Sequence, residues 1–461
     1  MGEVIERTGE LIRDPEAWSD AFDEVPVEDR LDFLVETFKY PLDDEFLQAV
    51  DMGGILIDLE PAVLPQPFAD LVRTIRDRAP ALHGREIPYL EGSVLAWELF
   101  CREGHRLEKT CQYLLQVAAT HPSWFLRAFR WLKFYGEITL GEALAKQAFE
   151  LMHSAVDLIG EPERELADFL LIHHAQSVYR AVREKREPDL ASMQALEEQV
   201  YGGTSHYLAE GILDYWGGSA APDPVDWNVP SERDAAFAKI SWSFVADVYD
   251  RFDIPFVIGF AIIDGFLGML RRRSSFEPEN FFLLTEEMTS SSGEALLEPF
   301  DRDAAITAAT IWGIPYVAEF LVGSGWIDET TETSLLEVTR TLQAGFMRQN
   351  AANLWRYGFV HRWRSADNMD PQSATEEACQ FERSAFDVGL RKEYMQEIEK
   401  MSWFQKQWFE EITRRSRGTK ARDEAALSLG RGENRPSQAQ RALRPKKNSK
   451  KKVKPRKKHK R

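Results

Sequence analysis

The chain has 461 residues, 44% of them hydrophobic, and carries 75 Asp and Glu against 57 Lys and Arg, a formal net charge of −18. This length and apolar content suit one or two substantial cores plus a tail and exclude a chain too polar to bury a core. Three cysteines, Cys101, Cys111 and Cys379, without short regular spacing, exclude a disulfide-stapled secreted scaffold and point to a reducing compartment.

The N-terminus, MGEVIERTGELIRDPEAW, lacks the apolar core of a signal peptide, and Glu6 stands where a myristoylation signal has Ser or Thr. A soluble cytoplasmic protein is expected, with the nucleus as an alternative if the source is eukaryotic. Helical spacing then begins. Leu31, Leu34 and Val35 share a face within Val27–Tyr40, and Phe68, Leu71, Val72 and Ile75 share another. Further helices are expected over Val94–Cys101, Leu107–Ala118, Ser123–Tyr135, Gly141–Leu158, Glu163–Glu184 and Asp189–Tyr201. Short breaks separate them, including Arg78–Gly84 and Thr120–Ser123, of the length that joins helices into hairpins. Gly202–His206 suits a cap for the following helix.

Periodicity vanishes over Trp216–Pro230, where Gly, Pro, Ser and Asp accumulate. A second helical region is expected from Ser231, as N-cap, with Phe237, Ile240, Phe244 and Val248 on one face. It continues through Ile254–Leu270, whose 17 residues are interrupted by Pro255, Gly259, Asp264, Gly265 and Gly268. A bilayer-crossing helix needs roughly 17 to 25 predominantly apolar residues, so this stretch is expected as a core helix, with no membrane span. Asp303–Trp326 is the next apolar helix, a mobile loop is expected around Thr289–Gly293, and a long charged helix over Thr375–Arg417. No fixed repeat recurs.

The expected fold is therefore all-α, an irregular array of helical hairpins with solenoid-like character. Its divisions are an N-terminal helical domain over 1–216, a linker over 217–230, a C-terminal helical domain over 231–413 and a disordered basic tail over 414–461. The tail changes the meaning of the net charge. Residues 414–461 hold 20 Lys and Arg and 3 Asp and Glu, net +17, which leaves 37 bases and 72 acids, net −35, on residues 1–413. Such a body repels polyanions, so any attraction to them is local to the tail. The contacting charges are Lys446, Lys447, Lys450, Lys451, Lys452, Lys454, Arg456, Lys457, Lys458, Lys460 and Arg461. They can neutralise phosphates of RNA, DNA or a ribosome, act as a nuclear address, or fold back on the acidic body. The tail has no aromatic residue to stack on bases.

Two body segments interleave rings with cations. Ser123–Glu137 combines Trp124, Phe125, Phe129, Trp131 and Tyr135 with Arg127, Arg130 and Lys133. In Leu354–Arg364, Arg356, His361, Arg362 and Arg364 form a candidate anion or ligand site. The competing expectation is buried helices whose arginines pair with acids, and 72 acids for 37 bases favour it. Cys101, His105, Cys111 and His121 are zinc-type ligands at a spacing that matches no familiar module, so neither a metal nor another cofactor is expected. Glu150 and His153 form a single E-x-x-H, and His173 and His174 point apart on a helix. No nucleophile elbow, phosphate loop or H-E-x-x-H occurs. A non-enzymatic binding or adaptor protein is expected, its helical surface receiving a protein partner. The alternative is an enzyme or cofactor-binding protein with an inter-helical pocket drawing on Glu150, His153, His173 or the His361–Arg364 cluster.

Overall fold

Proline sets the helix boundaries along this chain. Helices begin on Pro15, Pro65, Pro80, Pro122, Pro230 and Pro371. The first helical position suits proline, because its missing N–H would have no partner there and its ring fixes φ near the helical value. The computed structural model describes residues 8–60, 63–153, 161–201, 207–217, 225–271, 281–284 and 304–387.

Among these residues every regular element is helical. In order they are α1 (Thr8–Leu11), α2 (Pro15–Glu24), a 3-10 turn (Val27–Asp29), α3 (Arg30–Thr37), α4 (Asp44–Ala49), α5 (Met52–Leu59), α6 (Pro65–Arg78) and α7 (Pro80–Cys101). Then come α8 (Gly104–Gln116), α9 (Pro122–Phe134), α10 (Ile138–His153), α11 (Glu161–Arg183), α12 (Leu190–Tyr201) and α13 (Tyr207–Gly217). The remainder are α14 (Pro230–Phe252), α15 (Phe256–Arg271), α16 (Ala304–Gly323), α17 (Glu329–Gln349), a 3-10 segment (Ala351–His361) and α18 (Pro371–Ala385). Successive helices pack against one another, so hairpins in series are the architecture.

The boundaries differ from the sequence expectations where proline opens a helix instead of breaking one. Arg78–Gly84 is interrupted only at Ala79, and α7 runs 22 residues from Pro80 through Gly84 to Cys101. Ser231 is not the N-cap of α14; Val229 holds that place and Pro230 the first turn. Helix α17 was not foreseen, although Asp328 caps it by accepting from the Thr331 N–H at 2.8 Å. Several expectations lie outside the described residues: the Gly202–His206 cap, residues 218–224 of the 217–230 linker, the Thr289–Gly293 loop, the Thr375–Arg417 helix beyond Asp387 and the whole 414–461 tail.

Packing also joins helices far apart in sequence. α11 contacts α15, α9 contacts α16, and α7 contacts the 3-10 segment Ala351–His361. Where α15 meets α16 the backbones approach closely because glycine permits it: a Cβ on Gly265 would strike the Thr310 side chain, and one on Gly313 would strike Ile262. α16 has a mean hydropathy of 1.5 over its most apolar window and is long enough to cross a membrane, but 83% of that window is buried inside the protein. α15, the stretch flagged in the sequence, has 16 residues, ten of them buried.

Candidate functional site

The helix α9 turns its rings inward. Phe125, Phe129, Trp131 and Phe134 are buried. Arg130 makes a fork to Glu165 on α11, Nε to Oε1 at 2.8 Å and Nη2 to Oε2 at 2.6 Å. Burial alone would push the Glu165 carboxyl up, but the bonds from Arg130 and the charge of Lys133 outweigh it and hold the group below its ordinary value.

The 354–364 segment is likewise structural in its contacts. Arg356 is buried, ion-pairs with Glu60 and donates to Ser93 Oγ at 3.1 Å. Arg362 donates from Nη2 to the carbonyls of Leu99 at 2.8 Å and Phe100 at 2.7 Å, and its guanidinium lies 4.5 Å from the Tyr135 ring. It thereby satisfies the final carbonyls of α7, where a cation also favours the helix dipole. Arg364 donates to the Arg251 carbonyl at 3.0 Å, and His361 packs edge-on against Phe381 with ring centroids 4.6 Å apart. The four residues therefore address different neighbours and do not converge on one surface.

The other polar candidates are also dispersed. Cys101 is exposed and Cys111 buried, with its thiol pushed up to about 12 by burial, and no group of three potential metal-ligating side chains gathers among the described residues. Glu150 is exposed, His153 stacks on Phe149 at 5.4 Å, and His173 pairs instead with Glu142, Nε2 to Oε2 at 3.3 Å. A buried network occupies α6–α8: Arg76 forks onto Glu91 at 3.1 and 2.6 Å, and His83 Nε2 meets the same carboxylate at 2.5 Å. Glu98 joins Arg73 at 3.2 Å and Thr110 at 2.8 Å. Pairing in such networks offsets the cost of drawing the charges from water, so losing one partner harms the fold more than the intact network stabilises it.

A cavity of about 360 Å³ opens elsewhere, between α11, α13, α14 and α16. Its aromatic walls are Tyr179, Tyr215, Trp216 and Phe320, and its polar lining is Ser243, Asp247, Asp250, Arg251, Glu319 and Ser324. Tyr179 and Trp216 meet edge-on at 5.0 Å, and the Trp216 indole donates to the Trp242 carbonyl at 3.2 Å, which fixes the wall. The Tyr179 hydroxyl donates to Asp250 at 2.8 Å, and Arg183 reaches the same carboxylate at 3.1 Å. Arg251 pairs with Glu319, with Asp367 at 2.9 Å and, more distantly, with Asp247 at 3.4 Å. Burial, reinforced by the neighbouring charge of Asp250, pushes the Asp247 carboxyl above its ordinary value despite Arg251.

None of these residues was singled out in the sequence. Asp247, Asp250 and Arg251 sit three and four apart on α14, so their shared face was legible, but only the chain-distant Glu319 and Tyr179 turn that face into a cavity. Comparison with protein-family models, curated proteins and solved structures found no match to this chain.

Proposed function

We propose that this protein is a non-enzymatic binding protein, in which the helical body receives a protein partner and the 414–461 tail adds affinity for nucleic acid or a ribonucleoprotein surface. The observation that carries this reading is the separation of net −35 on residues 1–413 from net +17 on the remainder. Cationic arms neutralise phosphates and release counterions, which gives salt-dependent affinity with little sequence preference, whereas the acidic body opposes the same polyanion. The internal engagement of Arg356 and Arg362 supports placing polyanion attraction in the tail.

The test is binding of the full chain to a single-stranded RNA over a series of salt concentrations. Affinity should fall as salt rises, with a log–log slope of about −0.7 per phosphate neutralised. Replacing Lys446, Lys447, Lys450, Lys451, Lys452 and Lys454 by Gln should flatten the slope and weaken binding. Unchanged affinity in that variant would remove the tail from the function.

The inter-helical cavity supports a second reading, in which the body also holds a small ligand. Its volume lies at the lower end of the roughly 300–1,000 Å³ range of small-molecule sites, and it combines ring surfaces with a few polar groups.

A further inference from the structure

We infer that the cavity between α11, α13, α14 and α16 is a binding site for a small organic amine, whose ammonium group is taken by Asp247 and whose alkyl part lies against the Tyr179, Tyr215 and Trp216 rings. The inference rests on the ligand-binding reading of this cavity and names the class of ligand.

Charge and shape both point to a cation. The lining holds three carboxylates, Asp247, Asp250 and Glu319, and one guanidinium, that of Arg251. Their partners are unequal. Glu319 accepts from Arg251 and from the Asp367 backbone N–H at 2.9 Å, so both its oxygens are engaged. Asp250 is met by the Tyr179 hydroxyl and by Arg183. Asp247 has only the long 3.4 Å contact to Arg251, whose guanidinium is shared with Glu319 and Asp367. A half-buried carboxylate with so weak a counter-charge favours an added cation.

The rings select the kind of cation. A hydrated metal ion gains little from Tyr and Trp faces, whereas an ammonium carrying methylene groups gains both cation–π attraction and apolar contact. Gly323 lies on the lining, and a Cβ placed there would meet nothing within 4 Å. A side chain begun at that lining position therefore meets no immediate clash, and a bulky one there competes with a ligand for the space.

The probe is 1,4-diaminobutane, titrated into the full chain by calorimetry at near-physiological salt, with 1,4-butanediol as its neutral analogue and Mg²⁺ as an inorganic cation. One saturable site per chain is expected for the amine and none for the diol or Mg²⁺. Asp247→Asn should weaken the amine at least tenfold. Gly323→Leu, which removes no charge, should do the same by occupying the space, and Glu108→Gln, which removes an exposed acid on α8, should change nothing. The melting temperature of each variant establishes folding, and Gly323→Leu carries the test if Asp247→Asn does not fold. Equal binding of the diol would leave the cavity a ligand site and overturn the amine assignment. Absence of saturable binding by any probe would overturn both, as would amine affinity that is the same in Asp247→Asn and Gly323→Leu as in the parent. Saturation by Mg²⁺ at equal affinity, or at least tenfold tighter binding of an acetylated, amidated Gly-Lys-Gly peptide, would transfer the site to a metal or to a lysine side chain and overturn the assignment to a small amine.

Discussion

His361 gives a pH dependence whose size follows from its surroundings. The imidazole packs against Phe381 at 4.6 Å and Trp312 at 6.2 Å, and its buried Nε2 has no hydrogen-bond partner. Burial alone lowers its pKa from 6.5 to about 4, because nothing nearby compensates an imidazolium. The folded state therefore excludes a proton that the unfolded chain accepts between those two values. Stability from this group is complete above pH 6.5 and is lost as pH falls towards 4. At about pH 4.5 the loss amounts to roughly 2 to 3 kcal/mol, taking about 1.4 kcal/mol per unit of separation. Acids drawn from water act in the opposite sense: partial or full burial raises Glu98, Asp247 and Glu377, so their contribution fades as pH rises. A single-protein pH profile would mix these effects, and comparison with His361→Phe isolates the imidazole. The assay is urea denaturation of both proteins at neutral pH and about pH 4.5. The parent should lose about 2 kcal/mol more than His361→Phe across that interval. Equal losses would refute the argument that an unpartnered buried imidazole titrates here.

Arg362→Ala should cost about 3 kcal/mol, measured as a shift in the denaturation midpoint. It removes two charge-assisted bonds to the end of α7 and the contact with Tyr135, and leaves the Leu99 and Phe100 carbonyls without this donor. Arg362→Lys should recover only part of that loss, because a single ammonium does not reproduce the guanidinium plane over the ring. Gly313→Ala should destabilise by roughly 1 to 3 kcal/mol through the new methyl's clash with Ile262. Adding Ile262→Ala should make the pair less harmful than the sum of its parts in a double-mutant cycle, and strict additivity would refute the close approach.

Much of the fold was legible because apolar residues recur at helical spacing, as at Phe68, Leu71, Val72 and Ile75 on α6, all of them buried. Boundaries were less legible at Pro80 and Pro230, since the residue that breaks a helix interior also begins a helix, and the spacing of neighbouring apolar residues decides which. The preference for ion-paired arginines was likewise available from composition, but not their partners: Arg356 meets Glu60 and Ser93, and Arg362 meets Leu99 and Phe100, each more than 260 residues away.

The sequence by itself determined the helical class, the unequal division of charge and the absence of a compact catalytic signature, because periodicity, net charge and motif spacing are properties of neighbouring residues. Tertiary structure alone decided that the rings and cations of 354–364 bind the body together, and that Tyr179, Trp216, Asp247 and Glu319 surround a cavity. The physical reason is distance along the chain: these residues come from four helices, and a helix records which of its side chains share a face but not what that face will meet.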